Sequence, residues 1–118
     1  MKKYLVVACG EKIIAEKAEL ADGFLDRFLG LMFRKSLDLN GGLLLKPCRQ
    51  IHMFFMRFSI DAVFFSKENK IVHLEKNLAP GRMTRYIKDA ESVLELNSGT
   101  ADKCGIAEGD ILIFQEVN

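Results

Sequence analysis

Residues 48–65 read CRQIHMFFMRFSIDAVFF, where five phenylalanines are threaded with a cysteine, a histidine, two methionines, two arginines and an aspartate. The composition predicts sheet, because aromatic and β-branched side chains fit a pleated surface. Two strands are expected, over 50–56 and 60–65. If the first is extended, Cys48, Gln50, His52, Phe54 and Met56 share one face, and Arg49, Ile51, Met53, Phe55 and Arg57 share the other. Thiol, imidazole and thioether then line one side. The second, DAVFF, is apolar on both faces after Asp61, so that carboxylate sits near a buried layer and needs donors. Arg34, Arg57, Arg82 and the amides of the 80–82 turn are the expected partners.

Outward from this run the chain alternates short strands with turn signals. Residues 3–8 and 12–19 predict a hairpin around Gly10. DGFLDRFLGLMFR predicts a helix near 23–32, capped by Asp22, with Phe24, Phe28 and Leu31 buried against the sheet and Asp26 and Arg27 facing solvent. An Asn40-Gly41 turn leads into a leucine strand, and strands over 70–77, 92–96 and 110–117 follow. Pro80-Gly81 opens a loop carrying Arg82, Arg85 and Lys88, and a short helix is expected between Ser98 as cap and Gly105 as stop. Seven or eight strands with about two short helices predict one mainly-β domain, a small antiparallel barrel or sandwich, over all 118 residues.

Composition excludes several classes. Seventeen Lys+Arg against sixteen Asp+Glu leave a formal net charge of +1, so no global field recruits nucleic acid or an anionic bilayer. No apolar run has the length of a spanning helix, so no membrane insertion is expected. Cys9, Cys48 and Cys104 show no CxxC spacing, which predicts reduced thiols and a cytoplasmic location. Lys2-Lys3 before YLVVACG resembles a lipoprotein signal around Cys9, but the apolar stretch is too short for one.

Three patterns, GLMFR (30–34), residues 48–65 and SVLELNSGTADKCGIAEGD (92–110), occur together in this order. This set resembles the family known as domain of unknown function 192. The matching positions are Gly30, Leu31, Met32 and Arg34; Cys48, His52, Met56, Asp61 and Phe64; Pro80; and Leu94, Glu95, Gly99, Gly105, Gly109 and Asp110. Met53 departs from the pattern, since relatives often carry threonine after the histidine. The resemblance implies a compact β-rich fold and no established activity.

Three functional readings follow. The preferred one is a binding or accessory module whose polar pocket, formed by His52, Met56, Asp61, Arg82 and Arg85, takes a small anionic ligand or a protein partner's segment. Glu95, flanked by leucines in a strand, is read as a structural acid like Asp61. A small hydrolase or thiol enzyme would use Cys48, His52 and Asp61, with Ser59 or Thr84 as substitute nucleophiles. In a straight strand, however, Cys48 and His52 are about 13 Å apart. A soft-metal site for copper or zinc meets the same distance problem. No cofactor, metal or catalytic residue is therefore expected.

Overall fold

The computed structural model describes residues 2–117. Lys12–Ala21 (β2) folds back on Tyr4–Cys9 (β1) through the positive-φ Gly10. Phe24–Leu29 (α1) then leads to Gly41–Leu45 (β3), Ile60–Phe65 (β4), Ile71–Leu78 (β5), Ser92–Asn97 (β6), Thr100–Cys104 (α2) and Ile113–Glu116 (β7). One seven-stranded sheet results, in the order β5-β4-β6-β3-β2-β1-β7. Its pairs are antiparallel except β2/β3, where Lys17–Ala21 run parallel to Gly41–Leu45. A parallel pair requires a crossover, and residues 22–40 with α1 supply it.

The sheet coils until its ends approach without closing into a barrel. Ile71 N–H donates to Asp110 O and Leu112 N–H to Asn69 O, both at 2.8 Å, so the chain entering β7 is stitched to the start of β5. Asp110 shapes that junction by accepting from Ala107 N–H at 2.9 Å, just after the positive-φ Gly109.

Strands β3 and β4 are buried along their whole length, and β6 along all but its last residue. Leu44, Val63, Phe65, Leu94 and Leu96 face a core completed by Val7, Ala101 and Leu112. Leu43, Leu45, Ile60, Phe64 and Val93 face a second core covered by Leu31, Ile51, Met53 and Ile87. This explains why DAVFF and GLLL lack polar alternation: strands covered on both sides gain about 1.5–3 kcal/mol per buried large side chain on either face.

The cover of the second core departs from expectation. Residues 50–56 form no strand; a lone bridge joins His52 to Met83. The segment is instead pinned to the 79–91 loop, with Met53 N–H donating to Arg82 O at 2.7 Å, Gly81 N–H to Met53 O at 2.8 Å and Thr84 N–H to Ile51 O at 2.9 Å. Phe55, at φ 63°, ends the extension. Pro80-Gly81 makes the expected turn, with Gly81 at φ 82° and Arg82 N–H donating to Ala79 O.

Helix α1 is also shorter and differently seated. It buries none of its residues: Phe24 is 80% and Phe28 57% exposed, and only Leu31, beyond its end, enters the core. Gly23, not Asp22, is its cap residue.

Candidate functional site

Asp61 is the best-satisfied acid of the fold. Alternation along β4 directs it, with Val63 and Phe65, to the first core. There its carboxylate accepts from Asn77 N–H at 2.9 Å, Gly99 N–H at 3.1 Å and Ala101 N–H at 2.9 Å. It thereby caps α2 from across the sheet, and Ser98 instead hydrogen-bonds Asn77. The expectation of arginine partners or an anchor for the 80–88 loop is corrected. Strand parity decides the matter, because the loop covers the other face. Arg34 pairs with Glu19 at 3.5 Å, and Arg82, Arg85 and Lys88 lie exposed.

The second core carries a cavity of about 300 Å³ between α1 and the 46–56 segment. Phe24, Arg27 and Phe28 wall it from α1, Cys48, His52 and Met56 from the facing segment, and Glu95 from the sheet beneath. Of the expected pocket residues, His52 and Met56 meet here; Asp61, Arg82 and Arg85 are not among its walls. Cys48, Gln50, His52 and Met56 share this cavity as the expected strand face would have placed them, although no strand forms.

Glu95 is the residue whose importance the sequence reading missed. It shares a sheet face with Val93 and is only 4% exposed. Among the described residues its side chain makes no hydrogen bond or ion pair, and burial, countered only in part by the field of Arg34, raises its pKa to about 8. At neutral pH the carboxyl therefore carries a proton. Gly30, where the chain leaves α1 beside Glu95, takes φ 49°, ψ −126°; a Cβ there would stand at an ordinary contact distance of 4.0 Å from Glu95 Oε1, so the backbone conformation and not space calls for glycine. The signal was present in LEL, whose parity sets the acid on the face opposite its leucines.

Of the other polar walls, Arg27 donates through Nη1 to Pro47 O at 3.1 Å but buries its Nε without a partner among the described residues, and Cys48 and His52 bond backbone groups. Cys48 Sγ–H donates to Gln50 O at 3.2 Å, and burial pushes its thiol pKa up, which disfavours the nucleophilic thiolate. His52 Nδ1 accepts from Phe54 N–H at 3.2 Å. That ring stacks on Phe54 at 5.0 Å and meets the edge of Phe28 at 6.4 Å. Thr84 Oγ1 accepts from Ile51 N–H, away from His52. With Asp61 on the opposite face, the Cys48–His52–Asp61 grouping that a small hydrolase would need is not assembled. Among the described residues no cluster of three or more His, Cys, Asp or Glu is placed to hold one metal ion.

Two residues that follow or precede cavity-lining methionines in the chain, Phe33 after Met32 and Phe55 before Met56, are strained. Phe33 and Phe55 both adopt positive φ, 67° and 63°, and stack on each other at 5.4 Å while Phe33 N–H donates to Phe55 O. Such conformations cost about 1–3 kcal/mol each and gather where a surface is used.

The family model for domain of unknown function 192 (DUF192), described as "Uncharacterized ACR", matches residues 6–114. The chain belongs to that family. A UPF0127 protein of Pyrococcus furiosus is 33% identical over 111 residues, spanning 92% of this chain and 94% of that protein. One from Thermococcus kodakarensis is 31% identical over 101 residues, covering 81% and 63%. This DUF192 chain also resembles two crystal structures. A protein of unknown function from Novosphingobium aromaticivorans matches at TM-score 0.82, 23% identity, 93% of this chain and 83% of its own. A protein named a putative transcription regulator from Sinorhizobium meliloti matches at TM-score 0.79, 24% identity, 97% and 94%. These two likenesses establish the mainly-β fold. None of the described helices is long and apolar enough to cross a membrane.

Proposed function

We propose that this DUF192 domain is a binding module whose recognition site is the cavity between α1 and the 46–56 segment. Its occupant is an apolar side chain of a partner's segment, or a small molecule of similar shape. The observation carrying this reading is the exposure of Phe24 and Phe28 beside a cavity whose deepest polar group, Glu95, has no protein partner among the described residues. An isolated structural helix would have turned those rings onto the sheet. A largely apolar wall with a few convergent polar groups is the usual form of a binding pocket.

This narrows the expected pocket to His52 and Met56, joined by Cys48, Phe28 and Glu95. Arg82 and Arg85 belong to a separate exposed loop, so a small anionic ligand has less support than an apolar group. Nucleophilic chemistry at Cys48 also has less support, because its thiol is held protonated and hydrogen-bonded to a carbonyl.

Titration with 1-butanol and benzyl alcohol, followed by protein NMR, tests the reading. Saturable shifts are expected at Phe28, Cys48, His52 and Met56, weakened in Phe28→Ala. Shifts scattered over the surface, or none around the cavity, would contradict it.

A further inference from the structure

Glu95 poses a problem that the protein itself leaves open. A carboxyl 4% exposed normally finds a cation or several N–H donors, as Asp61 does beside Ala62, the cross-strand partner of Glu95. Among the described residues neither nearby arginine forms an ion pair with Glu95. Arg34 is paired with Glu19 at 3.5 Å, and Arg27 Nη1–H donates to Pro47 O at 3.1 Å while its buried Nε–H has no partner. Cys48 and His52, facing it from the 46–56 segment, hydrogen-bond backbone groups. The carboxyl thus looks into a cavity whose mouth carries the exposed rings of Phe24 and Phe28.

Resting on the binding-module reading, we propose that the cavity recognises an aliphatic ammonium, its apolar stem against Phe28 and Met56 and its cationic nitrogen on the Glu95 carboxyl. Three features favour a cation over an anion or a neutral group. An anion beside this acid would hold it in its protonated form and gain no opposite charge, whereas a cation pairs with the ionised carboxylate. The faces of Phe24 and Phe28 attract cations on the path inward. An ammonium also supplies N–H donors to an acid lacking them, giving a charge-assisted pair. A cavity of about 300 Å³ suits a short stem rather than a large cofactor.

Because the free carboxyl is protonated at neutral pH, binding must displace that proton. The ammonium keeps its own protons, the carboxyl loses one to solvent, and no covalent bond changes. The lysine side chain of a partner and a free alkylamine share this chemistry.

Isothermal titration with n-butylammonium, 1-butanol and butyrate, in buffers of different ionisation enthalpy, tests the inference. At pH 6.5 butylammonium is expected to bind with release approaching one proton, and its affinity should rise toward pH 9. There it should bind at least tenfold more tightly than 1-butanol. Glu95→Gln should lower butylammonium affinity at pH 9 at least tenfold and abolish the proton release. Stronger binding of N-acetyl-lysine N-methylamide than of butylammonium would identify a protein lysine as the source, and the reverse a free amine. Equal binding of the cation by Glu95→Gln, or butyrate binding with proton uptake, would overturn the inference. If 1-butanol perturbs the cavity but the cation has no advantage, the binding-module reading stands and this inference falls; if no probe perturbs it, both fall.

Discussion

Asp61 and Glu95 sit on adjacent strands of one sheet, β4 and β6, and face opposite cores. Both are almost wholly buried, at 1% and 4% exposure. Asp61 has three backbone N–H donors from β5 and the start of α2. Glu95 has none among the described residues, and its pKa rises to about 8. Burial alone therefore does not determine what an acid does; the donors brought by the covering layer decide. The first core is covered by a capped helix, the second by α1 and two loops that leave a cavity and exposed rings.

The largest effect should come from the satisfied acid. Asp61→Ala leaves three N–H donors without their acceptor and should cost about 3–5 kcal/mol in denaturant melts. A loss below about 1 kcal/mol would mean that the two acids are alike after all.

Glu95 should act through pH. Its pKa is raised from an ordinary 4.5 to about 8 in the folded chain, so the folded state binds more protons within that window. Stability is then greatest below about pH 4.5 as far as this group is concerned, and falls as pH rises from there through 8. Glu95→Gln should remove that slope and melt above the parent at pH 9. Parallel pH profiles for the two proteins would contradict the assignment.

A smaller effect is expected at Gly30, whose φ of 49° with ψ −126° is a conformation that side chains resist. Gly30→Ala should cost about 1–3 kcal/mol and shift the NMR signals of Glu95 and Phe28 before those around Asp61. The smallest concerns Phe28→Ala. The sequence pattern predicts a core phenylalanine, worth about 3–5 kcal/mol; at 57% exposure the loss should instead stay below about 1 kcal/mol. Phe64→Ala, on the buried strand, is the contrasting control.

Much of the fold was legible because local signals agreed with tertiary ones. Positive φ at Asn40, Gly81 and Gly105 falls where turn or stop residues predict it, and doubly covered strands lack polar alternation. Two parts were hidden. Residues 50–56 look like a strand by composition, yet their partners are loop carbonyls and amides some thirty residues on, and a bulky residue at positive φ terminates the run. The helical period of 23–32 predicts an apolar face correctly but cannot say whether that face meets the sheet or a cavity. His52 and Met56 were visible as site candidates. Glu95 was not, because its lack of partners depends on how α1, the 46–56 segment and β6 come together.

Glu95 stands as a protonated acid on the wall of an open cavity. Carbon-detected NMR of protein carrying ¹³C-labelled glutamate carboxyls, assigned through Glu95→Gln, measures it without any ligand. The account predicts that one signal titrates with a midpoint about 8 and responds to Phe28→Ala. A Glu95 midpoint in the ordinary carboxylate range, near 4.5, would mean that the acid already has a partner and would contradict the account.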